Sequence, residues 1–334
     1  MKFKIGSKTV GKNFPAFIIA EAGINHNGKL QVAKQLIDAA SQSDVDAIKF
    51  QTFKADDLTS SRSIYHKIFK KLELSDSDFG EISDYSHSKK IIFISTPFSN
   101  ESVDLLYKLK VPAFKIASGD LTDLPLIRYT ASKKKPILLS TGMSYLPEIK
   151  TAIKEILKIK NKKIGLFHSV SSYPTPYNET NLSAIYSMKS EFDYPIGFSD
   201  NGDDLLVPQV AVSLGAKLIE KHFTLNKKMK GLDHQSSANP KQMKDLVRKI
   251  RKIEEMLGDG IKKTQKCEKE GLITIRRSII AKRDLQKGMV LTPDLIKIAR
   301  PAKGIEPRFF EKIIGKKLKK NVLKDTPLKW AFLK

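Results

Sequence analysis

The segment Ala216-Lys-Leu-Ile-Glu-Lys-His-Phe-Thr-Leu225 joins a short apolar run to three consecutive ionisable residues. Leu218 and Ile219 are typical of a buried strand, and Glu220-Lys-His222 follows them directly. Ionisable groups are costly to bury unless they pair, bind a metal or take part in chemistry. One such segment is weak evidence, because a histidine beside a strand is usually a packing or surface residue. Seven other predicted strands end in a similar way, and this recurrence predicts the fold.

The other apolar runs lie upstream and are separated mostly by segments with helical spacing of about ten to fifteen residues. The eight predicted strands are residues 17–20, 47–50, 91–94, 113–116, 137–139, 164–167, 195–198 and the run at 218–219. Eight strands alternating with helices over about 250 residues predict a (β/α)8 TIM barrel. A doubly wound sheet is the alternative, but it would need a glycine-rich dinucleotide loop, and Asn25-His-Asn-Gly28 does not have that pattern.

The pattern of alternating strands and helices stops near residue 258. We therefore predict a catalytic barrel domain over residues 1–257, a polar linker over 258–274 and a small mixed α/β domain over 275–334. About sixty residues form too small a core to hold an independent site. The small domain is either a structural appendage or a cap that contributes Arg300 to the barrel.

The composition limits the classes of function. The chain has 334 residues and a formal net charge of +24, but only 9 of its 60 basic residues are arginine. Arginine, with its forked donors and flat face, would be favoured in a nucleic-acid groove, so we do not expect nucleic-acid binding. No apolar run approaches the length of a membrane span, and Cys267 is the only cysteine. We therefore expect a cytoplasmic protein that binds neither membranes nor nucleic acid and attracts small anions.

The carboxyl ends of parallel barrel strands share one face, and this face carries the active site. The polar residues at these predicted ends are Glu21, Lys49, Gln51, Thr96, Lys115, Ser118, Asp120, Ser140, Ser171, Tyr173, Ser199, Asp200, Glu220 and His222. Two lysines and several hydroxyls suit a phosphate or a carboxylate. Four acidic residues are candidates for acid–base steps and for sugar-hydroxyl contacts, namely Glu21, Asp120, Glu220 and Asp233.

The motifs in this order resemble those of the sialic acid synthases, the NeuB family, along nearly the whole chain. The resemblance rests on Glu21-Ala-Gly-Ile-Asn-His-Asn-Gly28, Lys49-Phe-Gln-Thr52, Ser95-Thr-Pro-Phe98, Lys115-Ile-Ala-Ser-Gly-Asp120, Ser140-Thr-Gly-Met143, Ser171-Ser-Tyr-Pro-Thr-Pro176 and Glu220-Lys-His-Phe223. The tail, residues 275–334, resembles the antifreeze-like SAF domain of that family through Arg276-Arg-Ser278, Ala281-Lys-Arg-Asp-Leu-Gln-Lys-Gly288 and Arg300-Pro301.

The resemblance implies an enzyme that condenses phosphoenolpyruvate with an N-acetylated hexosamine such as N-acetylmannosamine. The products would be phosphate and a nine-carbon 2-keto acid of the sialic acid type. The resemblance also implies a divalent metal, Mn or Mg, and a domain-swapped homodimer. Phosphoenolpyruvate would be held by Lys49, Thr96, Lys115, Ser118, Ser140, Ser171 and Ser199, and the sugar by Asp120, Tyr173, Asp233 and the other subunit's Arg300. Gln51 completes the predicted substrate-binding set.

The predicted catalytic residues are Glu21, Glu220 and Lys115, and Glu21 is our candidate for activating water. By the same resemblance His222 would bind the metal. The family usually has a second histidine ligand at the position of Asn201, and an amide oxygen there suits Mg or Mn better than softer metals. His26 and His168 are conceivable replacements, although a packing role is the better expectation for both.

Two alternatives stay open. The loop after Thr52 looks shorter than in N-acetylneuraminate enzymes, so the acceptor could instead be a diacetamido-trideoxyhexose, as in legionaminate and pseudaminate synthesis. The loss of a histidine at Asn201 also allows a sugar-binding protein without catalysis. An active enzyme is favoured by the retained charged and ligating residues Lys49, Lys115, Glu21, Glu220 and His222.

Overall fold

The computed structural model describes residues 1–334, and it divides into two compact units, Met1–Gly258 and Asp259–Lys334. The first unit opens with an antiparallel hairpin that the sequence analysis did not predict, formed by β1 (Lys2–Ile5) and β2 (Lys8–Gly11). Phe3, Ile5 and Val10 of the hairpin pack in one cluster with apolar side chains from the barrel strands. The hairpin thus adds apolar contacts to the barrel interior.

Eight parallel strands form a closed barrel, which confirms the predicted fold. They are β3 (Phe17–Gly23), β4 (Ala47–Thr52), β5 (Ile92–Pro97), β6 (Phe114–Ile116), β7 (Ile137–Ser140), β8 (Ile164–Ser169), β9 (Ile196–Asp200) and β10 (Leu218–His222). Each strand pairs with the next in sequence, and β10 pairs with β3 to close the ring. Most strands run further toward their carboxyl ends than predicted, because polar residues that face the cavity continue the ladder.

The helices of the first unit are α1 (Leu30–Ser41), α2 (Ala55–Leu58), α3 (His66–Leu72), α4 (Asp76–Ser88), α5 (Asn100–Lys108), α6 (Leu124–Ser132), α7 (Leu146–Lys158), α8 (Ala184–Glu191), α9 (Leu206–Ser213) and α10 (Pro240–Leu257). Their apolar faces pack on the outside of the strands in one large core cluster. Sequence analysis missed α4 because its apolar face is short. A capping box marks its start, however: Asp78 N donates to Ser75 Oγ at 3.1 Å and Ser75 N donates to Asp78 Oδ2 at 2.8 Å.

The second unit is small and mixed. It contains α11 (Lys269–Thr274), the antiparallel pair β11 (Ser278–Ala281) and β12 (Ile296–Ala299), and α12 (Phe310–Ile313). Its core is a separate apolar cluster that includes Ile279, Leu291 and Leu328. The segment predicted as a linker therefore contains a short helix rather than only extended chain. None of the helices in the structure is both long enough and apolar enough to cross a membrane.

Candidate active site

A cavity of about 430 Å³ opens among the carboxyl ends of the barrel strands. Its size lies within the range of small-molecule sites. Fourteen of the sixteen predicted site residues line it: Glu21, Lys49, Gln51, Thr96, Lys115, Ser118, Ser140, Ser171, Tyr173, Ser199, Asn201, Glu220, His222 and Asp233. These residues are spread over more than two hundred positions of sequence. The parallel register brings them together, because neighbouring strands end side by side.

Two lysines and two glutamates form a buried network on the cavity wall, which we call the charge quartet: Glu21, Lys49, Lys115 and Glu220. Lys49 Nζ lies 2.9 Å from Glu21 Oε2 and 3.8 Å from Glu220 Oε2. Lys115 Nζ lies 3.5 Å from Glu220 Oε1. All four side chains are buried. Formal charges of two lysines and two carboxylates cancel, which lowers the cost of burying them together.

Hydroxyl and amide groups complete the network around the charge quartet. Lys49 donates to Thr96 Oγ1 at 3.0 Å, and Lys115 donates to Ser140 Oγ at 2.6 Å. Ser199 Oγ donates to Glu220 Oε1 at 3.0 Å. Ammonium groups and short hydroxyls that point into one cavity provide the donors that a phosphate or carboxylate needs.

The two glutamates have different electrostatic surroundings. Burial raises the pKa of Glu21, and the opposing attraction of Lys49 is too weak to cancel this effect. Burial alone would also raise the pKa of Glu220, but Lys115 and Lys49 outweigh it, so the pKa of Glu220 is lowered. Two carboxyl groups with pKa values moved in opposite directions can exchange protons in different steps of one reaction.

The lysines also differ from each other. Burial lowers the pKa of Lys115, and the nearby Lys49 adds to this effect against the attraction of Glu220. Burial alone would lower the pKa of Lys49 too, but Glu21 and Glu220 together raise it. Lys49 is therefore held between two carboxylates as a fixed positive charge.

His222 and Asn201, the two residues predicted to bind a metal, line the same cavity, and so does Asp233, which was predicted to contact the sugar. His222 Nδ1 is buried, has no hydrogen-bond partner and lies 3.7 Å from Asp233 Oδ2. This separation is too long for a hydrogen bond. It would suit two ligands of one ion, because two atoms that each lie about 2.0–2.1 Å from a shared Mg ion are separated by less than about 4.2 Å. Asn201 donates its side-chain NH₂ to Val170 O at 2.8 Å, so its acceptor oxygen is the atom left for an ion. Carboxylate and amide oxygens are ligands that hard divalent ions accept, and metal binding by these residues stays a prediction.

Two predicted site residues do not line the cavity. Asp120 belongs to a short 3-10 turn, Ser118–Asp120, that follows β6, and its Oδ2 is buried without a hydrogen-bond partner. Asp120 is not among the residues that line the cavity. Burial raises its pKa, but it lies close enough to Lys115 for the charge of that lysine to lower the pKa in part, and its contact with the sugar stays a prediction. Arg300 is exposed in the second unit, directly after β12.

The two other histidines considered as metal ligands also lie away from the cavity lining. His26 Nδ1 is hydrogen-bonded to Gly28 N at 3.1 Å, and His168 Nε2 lies 2.8 Å from Thr180 O. Burial lowers the pKa of both imidazoles, to about 4 in His26. Neither imidazole is among the residues that line the cavity.

Sequence analysis missed the apolar part of the lining. Ile24, Phe69, Phe98, Met143 and Leu232 contribute to the cavity wall, as does the polar Ser169. Phe98 follows directly after β5, so its position beyond a strand end was a usable signal. Phe69 lies on α3, far from any strand end, and no local pattern marks it.

A closed parallel barrel with a cavity at its carboxyl end, lined by lysines, hydroxyls and carboxyl groups, has the architecture of the TIM-barrel enzymes. The comparisons with known proteins give the family. The sequence profile of the NeuB family matches residues 36–262, and that of the SAF domain matches residues 276–334.

The similarity to individual proteins extends over almost the full length. The chain is 46% identical over 329 residues to an uncharacterized protein of Methanocaldococcus jannaschii, covering 98% of both chains. It is 40% identical to the N,N'-diacetyllegionaminic acid synthase of Legionella pneumophila, covering 98% of this chain and 97% of the relative. A crystal structure of the N-acetylneuraminic acid synthetase of Leptospira borgpetersenii with citrate superposes with a TM-score of 0.79 at 35% identity, covering 81% of this chain and 95% of that one.

The chain therefore belongs to the NeuB family. It is an enzyme, and the predicted class, a phosphoenolpyruvate-dependent nonulosonate synthase of the transferase type, is confirmed.

Proposed function

We propose that the enzyme joins phosphoenolpyruvate to an open-chain N-acetylated hexosamine and water, giving a nine-carbon 2-keto sugar acid and phosphate. The charge quartet is the observation that carries this proposal. It sets two ammonium groups among hydroxyls in a cavity of about 430 Å³, which suits a substrate that bears both a phosphate and a carboxylate. The same quartet holds two carboxyl groups for proton transfer.

The first bond forms between C3 of phosphoenolpyruvate and the aldehyde carbon of the sugar, whose oxygen gains a proton. A divalent metal held by His222, Asp233 and Asn201 would polarise that aldehyde. Lys49 and Lys115 hold the anionic groups, with Thr96 and Ser140 as hydroxyl partners. Binding both reactants in one cavity would contribute much of the rate enhancement, because the entropy lost in bringing them together is paid on binding rather than in the chemical step.

The second bond forms between water and C2 of the resulting cationic centre. The bond between C2 and the phosphate oxygen then breaks, the departing phosphate takes the proton of the new C2 hydroxyl group, and C2 becomes a ketone. Glu21 accepts the proton of the attacking water, since its raised pKa makes it the stronger base of the two glutamates. Glu220 has the lowered pKa, so it stays ionised and stabilises the positive charge that develops.

For the acceptor we propose a 6-deoxy sugar of the diacetamido-trideoxyhexose type, as in legionaminate synthesis. Five apolar side chains, Ile24, Phe69, Phe98, Met143 and Leu232, line the cavity. They suit a methyl group better than the hydroxymethyl group of N-acetylmannosamine, because burying a hydroxyl without a partner is costly. The name of the 40% identical Legionella relative supports the same choice.

A phosphate-release assay tests both the proposed reaction and the proposed acceptor sugar. Purified enzyme is incubated with phosphoenolpyruvate and either the diacetamido-trideoxyhexose or N-acetylmannosamine, with Mn, Mg or a chelator. We expect release with the deoxy sugar, at least tenfold weaker release with N-acetylmannosamine, and none with chelator. Faster release with N-acetylmannosamine would overturn the acceptor proposal, and no release with either sugar would favour a sugar-binding protein without catalysis.

The same assay includes a pair of lysine variants. Lys115→Met removes one positive charge of the quartet and keeps an unbranched side chain only one atom shorter, so phosphate release is expected to disappear. Lys108→Met makes the same change at an exposed lysine of α5 that forms no ion pair, and it is expected to behave as wild type.

The homodimer and the role of Arg300 stay predictions from the resemblance. Sedimentation velocity gives the mass of the particle in solution, and a monomer at assay concentration would contradict the dimer. Arg300→Ala should raise KM for the sugar while leaving the affinity for phosphoenolpyruvate unchanged.

A further inference from the structure

An ion pair lies behind the cavity wall at the carboxyl ends of β9 and β10. Lys221 and Asp200 face each other in the register of these two strands, and Lys221 Nζ lies 2.9 Å from Asp200 Oδ2. Both side chains are almost completely buried, at 1% and 2% exposure. They alternate along the strands with Ser199, Glu220 and His222, which line the cavity. The pair therefore lies on the opposite side of the strands from the substrate.

The pair holds the turn that follows β9. Asp200 Oδ1 accepts a hydrogen bond from Gly202 N at 2.8 Å, and Lys221 Nζ donates to Gly202 O. Both polar groups of the Gly202 backbone are thus bound by the pair. Asn201, which lies between Asp200 and Gly202 in the turn, lines the cavity.

The turn is also joined to the chain that follows β8. Asn201 Nδ2 donates to Val170 O at 2.8 Å, and Thr175 N donates to Asn201 O at 3.3 Å. The fixed turn therefore links β9 and β10 to the segment that carries Ser171 and Tyr173. Movement of the turn would displace groups from three strand ends of the cavity.

A fully buried ion pair is not needed to stabilise a fold. Its desolvation cost is about as large as its attraction, and apolar pairs of similar volume are often equally or more stable. An ion pair with further hydrogen bonds does, however, fix geometry, because each bond restricts direction. We propose that Lys221 and Asp200 are positioning residues that hold the Asp200–Gly202 turn, and with it Asn201, in the cavity. The expected change in kcat rests on the proposed function. The expected change in the mobility of the Asp200–Gly202 turn does not.

Two variants separate positioning from stability. Lys221→Met breaks the pair and leaves Asp200 as an unpaired buried charge. The double variant Lys221→Met/Asp200→Leu replaces both residues by apolar ones, and its melting temperature is expected to return to near that of wild type. We expect amide hydrogen exchange in residues 200–204 to be at least tenfold faster in both variants. We also expect kcat to fall at least tenfold.

The double variant decides whether the pair positions the turn or only stabilises the fold, even if Lys221→Met fails to fold. Wild-type exchange and kcat in the double variant would overturn the proposal, because the pair would then only stabilise the fold. Asp200→Asn keeps the acceptor for Gly202 N and removes only the charge. It should show a smaller change in the same direction, and wild-type exchange in this variant would count against the proposal in the same way.

Arg251→Met is the matched control. Arg251 NH2 pairs with Asp46 Oδ2 at 3.0 Å, in the loop before β4 at the other end of the strands. This variant should lower the melting temperature without changing exchange in residues 200–204 or kcat. If wild-type enzyme releases no phosphate, the proposed function fails, and the exchange measurement alone then decides the positioning role.

Discussion

The Nζ atom of Lys49 lies 2.9 Å from Oε2 of Glu21 inside the cavity, and both side chains are almost completely buried. An anion that binds Lys49 must therefore share it with a carboxylate that carries the same sign of charge as the substrate. In the proposed reaction, Glu21 therefore opposes the binding of phosphoenolpyruvate and accepts a proton from water in the later step. Substitution of Glu21 should separate these two effects.

Glu21→Gln should bind phosphoenolpyruvate at least as tightly as wild type and turn it over about a hundred times more slowly. The amide keeps an acceptor for Gln51 Nε2, which donates to Glu21 Oε1 at 3.2 Å, but removes the negative charge and the base. Calorimetry gives the affinity and phosphate release gives the rate. A large loss of affinity would mean that Glu21 orients Lys49 rather than opposing the anion.

Gly142→Ala should weaken phosphoenolpyruvate binding about tenfold with little change in the fold. A Cβ atom at this position would lie 2.4 Å from Ser171 Oγ and 2.8 Å from Ser118 Oγ, so both hydroxyls would have to move. Both serines are predicted contacts of the substrate. Calorimetric titration with phosphoenolpyruvate measures the loss, and wild-type affinity would show that these hydroxyls are not ligands.

Gly80→Ala is the control for this substitution. Gly80 lies in α4, and a Cβ atom there meets nothing within 4 Å. Alanine should stabilise the helix by about 0.5–1 kcal/mol and leave the affinity for phosphoenolpyruvate unchanged.

The sequence predicted the barrel because each strand carries a short apolar run, such as Ile164 to Phe167, that only a buried strand explains. It could not predict the hairpin formed by β1 and β2. Lys2, Lys4 and Lys8 make this hairpin look like a charged terminus, and its burial depends on Phe3, Ile5 and Val10 meeting the barrel interior. Such contacts exist only after the chain has closed.

The polar part of the site could be predicted for a related reason. Side chains such as Lys49 and Lys115 are too costly to bury in a strand without a partner or a function, so they are visible in the sequence. The apolar wall is not visible in this way, since Phe69 is an ordinary helix residue until the fold places it at the cavity. Asp120 follows a strand end in the same way but is not among the residues that line the cavity, because chain position in a turn does not fix which residue reaches it.

Asp120 predicts a pH dependence of stability. Burial and the nearby Asp123 raise the pKa of Asp120 from 3.8 to about 6, so the folded state binds its proton more tightly than the unfolded state. The resulting stability is fully present below pH 4 and is lost as the pH rises through 6. Asp120→Asn removes this loss. The free energy of unfolding of the variant, relative to that of wild type, should therefore increase by up to about 3 kcal/mol between pH 4 and pH 8.

Urea unfolding of both proteins at each pH measures this difference. Asp123→Asn is a useful companion, because it removes only the neighbouring charge and should give a smaller part of the same change. A constant difference between wild type and Asp120→Asn across the range would show that the carboxyl group ionises normally.

Asn201→His should tighten the binding of Mn²⁺ about tenfold and that of softer ions such as Co²⁺ further. Imidazole is a softer and stronger ligand than an amide oxygen, and His222 would then have a second imidazole beside it.

The free Mn²⁺ signal in electron paramagnetic resonance measures this binding without any turnover. Because a protonated imidazole cannot bind a metal, the gain should disappear below about pH 6. Asn201→His/His222→Ala is the control and should lose the gain at every pH. An affinity for Mn²⁺ equal to that of wild type in the single variant would show that residue 201 is not a metal ligand.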